Sequence, residues 1–502
     1  MLSRTAMPWF LAPDYWLARE ILERLLGAIY LFAFATVIHQ FRPLLGENGL
    51  LPVPEFLRST RFRDAPTLFR LHYSDRLAVA FGWLGGILAA AVVLGLPQLA
   101  PTPVTMLTWV VLWVLYLSVV NVGQRWYSFG WESLLLEAGF LAIFLGDDRT
   151  PPPFLILILF RWLAFRVEFG AGLIKLRGDP CWRDLTCLDY HHETQPMPNP
   201  LSWYFHHLPR PLHRVEVLGN FFAQLVAPFG LFLPQPIAGL SALVMIGTQG
   251  YLVVSGNYAW LNWITIVAAL AGIPDDFYRV FVGFSLPLLT DPAPWFVGVV
   301  LLLTALVVVL SWWPVANMIS PGQVMNQSFN QLHLVNTYGA FGSVTRVRYE
   351  VIVEGTAEEL PRPGDWREYE FIGKPGDPAR RPPQIAPYHL RLDWLMWFAA
   401  LSPAYAREWF MPLLQKLLEG DPAIRALIRR DPFATGEPPR YIRALYYRYR
   451  YTTWQERRAT GHWWYREPVG DYLPTVTLAP RGEAREAELD PDLPASTRRG
   501  AD

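Results

Sequence analysis

The chain has 502 residues, 43 Lys plus Arg against 43 Asp plus Glu, 52% hydrophobic residues and only 17% charged ones. Soluble domains carry about 25% charged residues, so an ordinary soluble globule is disfavoured. The balanced charge argues against a basic nucleic-acid binder.

The average conceals two unequal parts: long apolar runs fill the first 315 residues, and the rest is polar and rich in Arg and Pro. A helix needs about 20 apolar residues to cross a bilayer. Candidate spans lie near 21–41, 77–98, 104–121, 131–146, 153–174, 215–233, 237–254, 259–273 and 293–313, about nine in all. Several are short or broken by Gly and Pro, which helices packed among helices tolerate. The opening MLSRTAMPWFLAPDYWLARE lacks the basic region, apolar core and Ala-x-Ala site of a cleavable signal. The first span therefore reads as a retained signal-anchor. The polar connection 42–76, with Arg58, Arg61, Arg63, Arg70 and Arg76, contains RFRDAPTLFRLHYSD, expected to be a short interfacial helix. A second large connection covers 175–214, and short turns at 99–103 and 147–152 join helical hairpins.

The stretch from Gln124 to Pro209 is the richest in chemistry. It reads QRWYSFGWESLLLEAGFLAIFL and then FRVEFGAGLIKLRGDPCWRDLTCLDYHHETQPMPNPLSWYFHHLP. Ionisable groups at bilayer depth cost about 2.5–3.5 kcal/mol each on insertion scales and are functional candidates by default. Here they are Glu132, Glu137, Arg161, Arg166, Glu168 and Lys175. Arg161, Glu168 and Lys175 are seven apart and fall on one helix face. Glu168 can pair with either base, giving a buried ion-pair ladder or, alternatively, a proton-handling or substrate-binding group. Gly170 and Gly172 leave room for close helix approach. Partners for Glu132 and Glu137 are Arg125, Arg161 and Arg166.

The following loop holds Cys181, Cys187, His191, His192, Glu193, Trp203, His206, His207 and His213. The thiols either form a disulfide on an oxidising face or stay free. His is the usual metal ligand and proton shuttle, but the spacing is neither HExxH nor CxxC. The preferred reading is a loop stiffened by Pro196, Pro198 and Pro200, packed by Trp182, Trp203 and Tyr204, with no metal and no cofactor.

After Pro314 the pattern changes. VTRVRYEVIVEG (344–355) alternates as a half-buried strand does, with Val347, Tyr349, Val351 and Val353 on one side. WREYEFIG (366–373) is its partner. LRLDWLMWFAAL (390–401) and AREWFMPLLQKLLEG (406–420) predict helices, the second ended by Gly420, and YIRALYYRYRYTTW (441–454) predicts a strand. The tail from about Arg481 has a disordered composition. No nucleotide loop, GxSxG elbow or kinase signature occurs.

These strings, with SGNYAWLNW (255–263), NTYGAFGSVTRVRYEVIVEGT (336–356), YEFIGKPGDPARRPPQIAPYHLRLDWLMWFAA (369–400) and RALYYRYRYT (443–452), resemble the lipase maturation factor family, in family order, over most of residues 30–470. The first half resembles, more weakly, the membrane region of vitamin K-dependent carboxylases. The fold implied is a multi-pass α-helical membrane bundle (1–315) followed by a smaller soluble α+β domain (316–480) and a tail (481–502). The resemblance implies a membrane-bound factor, not itself a lipase, that assists folding and assembly of secreted lipases or related exported hydrolases. Its partners would be such a client and membrane lipid, with no nucleic acid. It also implies the endoplasmic reticulum membrane in eukaryotes, or the inner membrane in bacteria, with the C-terminal domain on the lumenal or periplasmic face. The Lys and Arg count of the connections favours the opposite orientation. Aromatic and Arg side chains are enriched at interface hot spots, which makes Trp394, Trp397, Arg391 and Asp393 the client-contact candidates, beside Trp409, Trp454, Trp463 and Trp464. The competing reading places most of these Trp in a core. A membrane enzyme acting on a lipid-like or quinone substrate is the alternative function.

Overall fold

The computed structural model describes residue 7 and residues 9–281, 283–284, 286–479 and 484–486. Among the described residues, five helical stretches are long and apolar enough to cross a membrane: Pro13–Leu45, Asp75–Val93, Thr102–Asn121, Ile237–Ser255 and Pro294–Ile319. Within the first, α1 (Trp16–Thr36) runs through a π-turn, Val37–Phe41, into Arg42–Leu45. α2 (Asp75–Val93) starts where Ser74 caps the Leu77 N–H and Asp75 faces the positive end of the helix dipole. α3 (Thr102–Asn121) starts behind Pro101. α4 (Gly130–Ala142) has 13 residues, about 20 Å of helix, short of a hydrocarbon core of about 30 Å. α5 (Phe154–Arg177) begins after Pro151–Pro153 and runs 24 residues.

The connection after α5 folds into short helices, including α6 (Leu188–Thr194) and α7 (Arg210–Phe221). α7 continues through a second π-turn, Phe222–Val226, into Ala227–Gly230. Then come α8 (Ile237–Ser255), α9 (Leu261–Ala269) and α10 (Pro294–Leu310). The expected spans at 131–146, 215–233 and 259–273 are thus a short helix, a helix interrupted by a π-turn and a nine-residue helix closed by a 3-10 turn. The first and third pack inside the bundle, where neighbouring helices satisfy irregular backbone, whereas 215–233 leaves an apolar face exposed, including Val215, Leu218, Phe222, Val226 and Phe229. The interfacial helix expected within RFRDAPTLFRLHYSD does not form. Pro66 disfavours the helical conformation at Ala65; only a 3-10 turn at Leu68–Arg70 is left, and Val53–Ser59 is helical instead.

The C-terminal region is an α+β unit. Its main sheet has five antiparallel strands in the order β2-β1-β5-β6-β7, with β1 Arg348–Thr356, β2 Arg367–Glu368, β5 Tyr441–Tyr451, β6 Trp464–Leu478 and β7 Ala484–Glu486. A two-stranded sheet joins β3 (Glu370–Phe371) to β4 (Ile428–Arg430). β1 and β5 pair along their length, Arg348 opposite Tyr449 and Thr356 opposite Tyr441. α11 (Arg391–Leu401) packs on β1, and α12 (Phe410–Leu418) ends at Gly420, whose φ of +66° suits glycine. Apart from β7, the tail from Arg481 lies outside the described residues.

β1 departs from the half-buried expectation. Val351 and Val353 are buried, but so are Arg348, Glu350, Ile352 and Glu354 on the opposite face. At its Arg348 end that face meets the 193–196 segment of the bundle's own loop; further along Glu350 meets Lys374, Ile352 packs with Trp203 and Trp464, and Glu354 pairs with Arg443.

Candidate functional site

The polar side chains concentrate where the C-terminal unit sits on the bundle. Glu132 on α4 is fully buried. Arg391, at the start of α11, donates to it at 2.7 Å, and the Tyr116 hydroxyl also donates to it. The other contacts of Arg391 are a 2.6 Å bond to the Trp126 carbonyl and the face of Tyr127, 3.4 Å from its guanidinium carbon. Gln40 holds the segment from both sides, accepting from the Arg391 N–H at 2.9 Å and donating to the His389 carbonyl at 2.7 Å. The His389 ring lies 3.7 Å from Glu132, and burial pushes its pKa down to about 4.

One and a half turns along α4, Glu137 forms the second knot. Arg166 donates to both its oxygens, the Tyr338 hydroxyl donates at 2.7 Å and the Asn336 N–H at 2.9 Å. Arg166 also donates to the Asn336 carbonyl at 2.7 Å. A third knot is Glu350 with Arg348 at 2.6 Å and Lys374 at 3.0 Å, all three fully buried. Arg348 reaches on to the carbonyls of Glu193, Gln195 and Pro196 at 3.1, 2.5 and 3.2 Å. Asn257 makes a fourth link. Its carbonyl oxygen accepts from the Ile385 and Ala386 N–H groups, and its amide donates to the Pro198 and Pro383 carbonyls.

The ion-pair ladder expected within α5 is absent. Arg161 donates to the Ala271 and Leu231 carbonyls and the Tyr15 hydroxyl, Glu168 accepts from Gln249 at 2.7 Å, and Lys175 donates to Asn220 and Gln224 at 2.9 Å each. Helical spacing put the three on one face, but the helices facing that stripe supply neutral partners. Arg125, the other expected partner, pairs at the surface with Glu408 at 2.9 Å. Gly170 makes room for backbone from the C-terminal half, not for a helix: an added Cβ there would lie 2.3 Å from the Tyr338 carbonyl oxygen. Gly172 faces Leu225 in the second π-turn.

Cys181 and Cys187 are disulfide-bonded and buried against Val344. Beside them Arg346 forks onto Asp179 and holds its carboxyl well below the usual range. His191 meets the Tyr258 hydroxyl at 3.1 Å, and burial lowers its pKa to about 3. His206 is pushed down to about 3 by burial and lies 3.7 Å from Glu193, whose pKa burial raises. Glu193 accepts from the Tyr451 N–H at 2.7 Å. His207 bonds the Trp203 carbonyl, and Trp203 donates to the Thr452 carbonyl at 3.0 Å. Each of these loop groups therefore joins the bundle's loop to itself, to α8–α9 or to the C-terminal sheet.

Of the four client-contact candidates, Arg391, Asp393 and Trp394 are buried and Trp397 is half-buried. Asp393 accepts from the Gly373 and Lys374 N–H groups, and burial raises its pKa. Trp394 packs on Trp131 of the bundle, ring centres 4.9 Å apart, and Trp397 donates to the Thr194 carbonyl. Arg391, Trp394 and Trp397 fasten the two halves together, while Asp393 braces the C-terminal unit internally. Trp409, Trp463 and Trp464 are buried as well, whereas Trp454 is 49% exposed. Sequence reading missed Arg348, Glu350, Lys374, Asn257 and Asn336. The available signal was three charged residues, Arg348, Glu350 and Glu354, within one nine-residue strand, and polar residues within the long irregular strings.

Residues 17–280 match the lipase maturation factor transmembrane domain and residues 334–474 the lipase maturation factor C-terminal domain. "Lipase maturation factor 1" of Homo sapiens is 43% identical over 92% of this chain and 88% of its own length. The chain belongs to the lipase maturation factor family. The family's protein of the same name in Bos taurus is 43% identical over 93% of this chain and 90% of its own, and "Lipase maturation factor 2" of Homo sapiens is 30% identical over 92% and 83%. No solved structure matches the chain. The apolar helices and the matched transmembrane domain make it a multi-pass membrane protein. Both matched domains contribute to the buried seam: Glu132, Glu137 and Asn257 come from the first, and Asn336, Arg348 and Arg391 from the second.

Proposed function

We propose that this chain is a membrane-bound maturation factor that assists the folding and assembly of secreted lipases or related exported hydrolases. The observation that carries the reading is identity across both halves with relatives named for lipase maturation. A client caught before assembly exposes apolar surface. A membrane-held domain binds that surface transiently and releases it once it is buried. Burial of Arg391, Asp393 and Trp394 moves client contact elsewhere, to exposed groups such as Trp454, Arg458 and Tyr465. The C-terminal domain would face the endoplasmic reticulum lumen or, in a bacterium, the periplasm. In support, the Cys181–Cys187 disulfide lies beside the Asp179–Arg346 pair that joins the loop to the C-terminal half, and disulfides persist on oxidising faces.

The test uses cells lacking their own lipase maturation factor, given this full chain and a secreted lipase. Active lipase should appear in the medium, and a photo-crosslinker at position 454 should capture the lipase. Absence of both rescue and capture would sink the proposal. Truncation at residue 315 is a poor test, because it strips Glu132 and Glu137 of buried partners.

A second reading, a membrane enzyme acting on a lipid-like or quinone substrate, is favoured by one observation. A mostly apolar cavity of about 460 Å³ is lined by Lys175, His191, His192 and Tyr251, the size and character of a small-molecule site. Lys175→Met separates the two. An enzyme would lose turnover while folded. A scaffold lysine would leave Asn220 and Gln224 unpaired and lower the protein's abundance.

A further inference from the structure

The wall of that cavity carries a group with no structural use. His192, on α6, is 1% exposed, and neither ring nitrogen has a hydrogen-bond partner. Buried polar atoms are nearly always paired, so an orphaned imidazole invites a ligand. Across from it, α7 presents His213 and Glu216, which the i,i+3 spacing sets on one face. The His213 ring is 6.0 Å from that of His192, centre to centre, and its Nδ1 lies 3.1 Å from Glu216. One donor atom from each of the three residues can be chosen so that all lie within 4.8 Å of one another. His192 and Glu216 both face the cavity.

We propose that His192, His213 and Glu216 form a site for a divalent transition-metal ion, zinc by preference, with its fourth position open to the cavity. Two imidazoles and one carboxylate are a usual zinc donor set when a fourth position is left for water or a ligand. Metal–ligand bonds of about 2.0–2.2 Å set tetrahedral donors about 3.3 Å apart. Closing from 4.8 Å needs side-chain rotations on two short helices, not a change of fold. Glu216 supplies the compensating negative charge. The His213 Nδ1 already bonds Glu216, which holds the two side chains of α7 together. Of the neighbouring histidines, His191 is engaged with Tyr258 and His207 with the Trp203 carbonyl, and the His206 ring lies 3.7 Å from Glu193.

The experiment takes the full chain, free of any tag, purified in detergent, stripped with a chelator and dialysed against buffered Zn²⁺ or Co²⁺. Metal content and the visible spectrum of bound Co²⁺ are read. The expected result is about one equivalent per chain and the intense bands of a tetrahedral ion. Changing an outer partner of a metal ligand costs about 10–100-fold in affinity, so His213→Gln and Glu216→Gln should each weaken binding at least about tenfold. His207→Asn should not. Glu216 is only partly buried, so Glu216→Gln remains informative if the other variant fails to fold, which gel filtration reports. Absence of retained metal in the unmodified chain overturns the proposal. So does metal that all variants bind alike, which would be adventitious surface binding.

Discussion

Arg391 is the most exacting test of the seam. Its guanidinium is 2.7 Å from the Glu132 carboxylate, with both groups sealed from water. At an effective dielectric near 20 the gross attraction at that distance is about 6 kcal/mol. Much of it is offset by the cost of taking both charges out of water. Removing one partner is different, because the remaining buried charge keeps the cost without the attraction. Arg391→Met should therefore destabilise the protein by about 3–5 kcal/mol. Glu132 would be left with only the Tyr116 hydroxyl and a His389 ring that burial keeps neutral. Adding Glu132→Leu in the same chain removes the orphaned charge, and most of the loss should return. The assay is denaturant- or heat-induced unfolding in detergent, followed by tryptophan fluorescence, for the unmodified chain, the two single variants and the double variant. If the double variant were as unstable as the worse single, or if Arg391→Met lay within about 1 kcal/mol of the unmodified chain, the buried pair would not be what fastens the halves.

Gly170→Ala forces a Cβ onto the Tyr338 carbonyl, which is backbone and cannot swing aside. Overpacking costs about 1–3 kcal/mol, and faster proteolysis within 320–345 should accompany the lowered melting temperature. Four histidines outside the spans, His191, His206, His333 and His389, titrate at about 3, 3, 4 and 4 in the folded chain because burial disfavours their charged form. Their unfolded value is about 6.5, so the unfolded chain binds more protons between these limits. Their contribution is complete above pH 6.5 and is lost as pH falls toward 4; melting temperatures at pH 7.5, 6 and 5 should fall in that order, and a flat profile would refute it. Replacing Cys181 and Cys187 by Ser opens a loop of sequence separation 6. Loop-closure entropy for so short a loop is about 2 kcal/mol, and unfolding of the double variant with and without reductant should show that loss and no further effect of reductant.

The sequence by itself determined the membrane character, the division into an apolar first part and a polar second one, the strands at 348–356 and 441–451 and the helices at 391–401 and 410–418. Those features follow from local apolar periodicity and breaker residues, which act over a few residues along the chain. Sequence also marked Glu132, Glu137 and Arg166 as charges that must be partnered, because an unpaired charge at depth is too costly to leave alone. Which partner each takes was decided only by the tertiary structure. Glu132 bonds Arg391, 259 positions away, and Asn257 bonds Ala386, 129 positions away. Helical spacing grouped Arg161, Glu168 and Lys175, yet spacing reports only which way a side chain points and not what faces it. The same limit applies to Arg391, Asp393 and Trp394. Their composition fits a protein-binding surface as well as a buried joint, and only the packing of α11 onto α4 and β1 distinguishes the two.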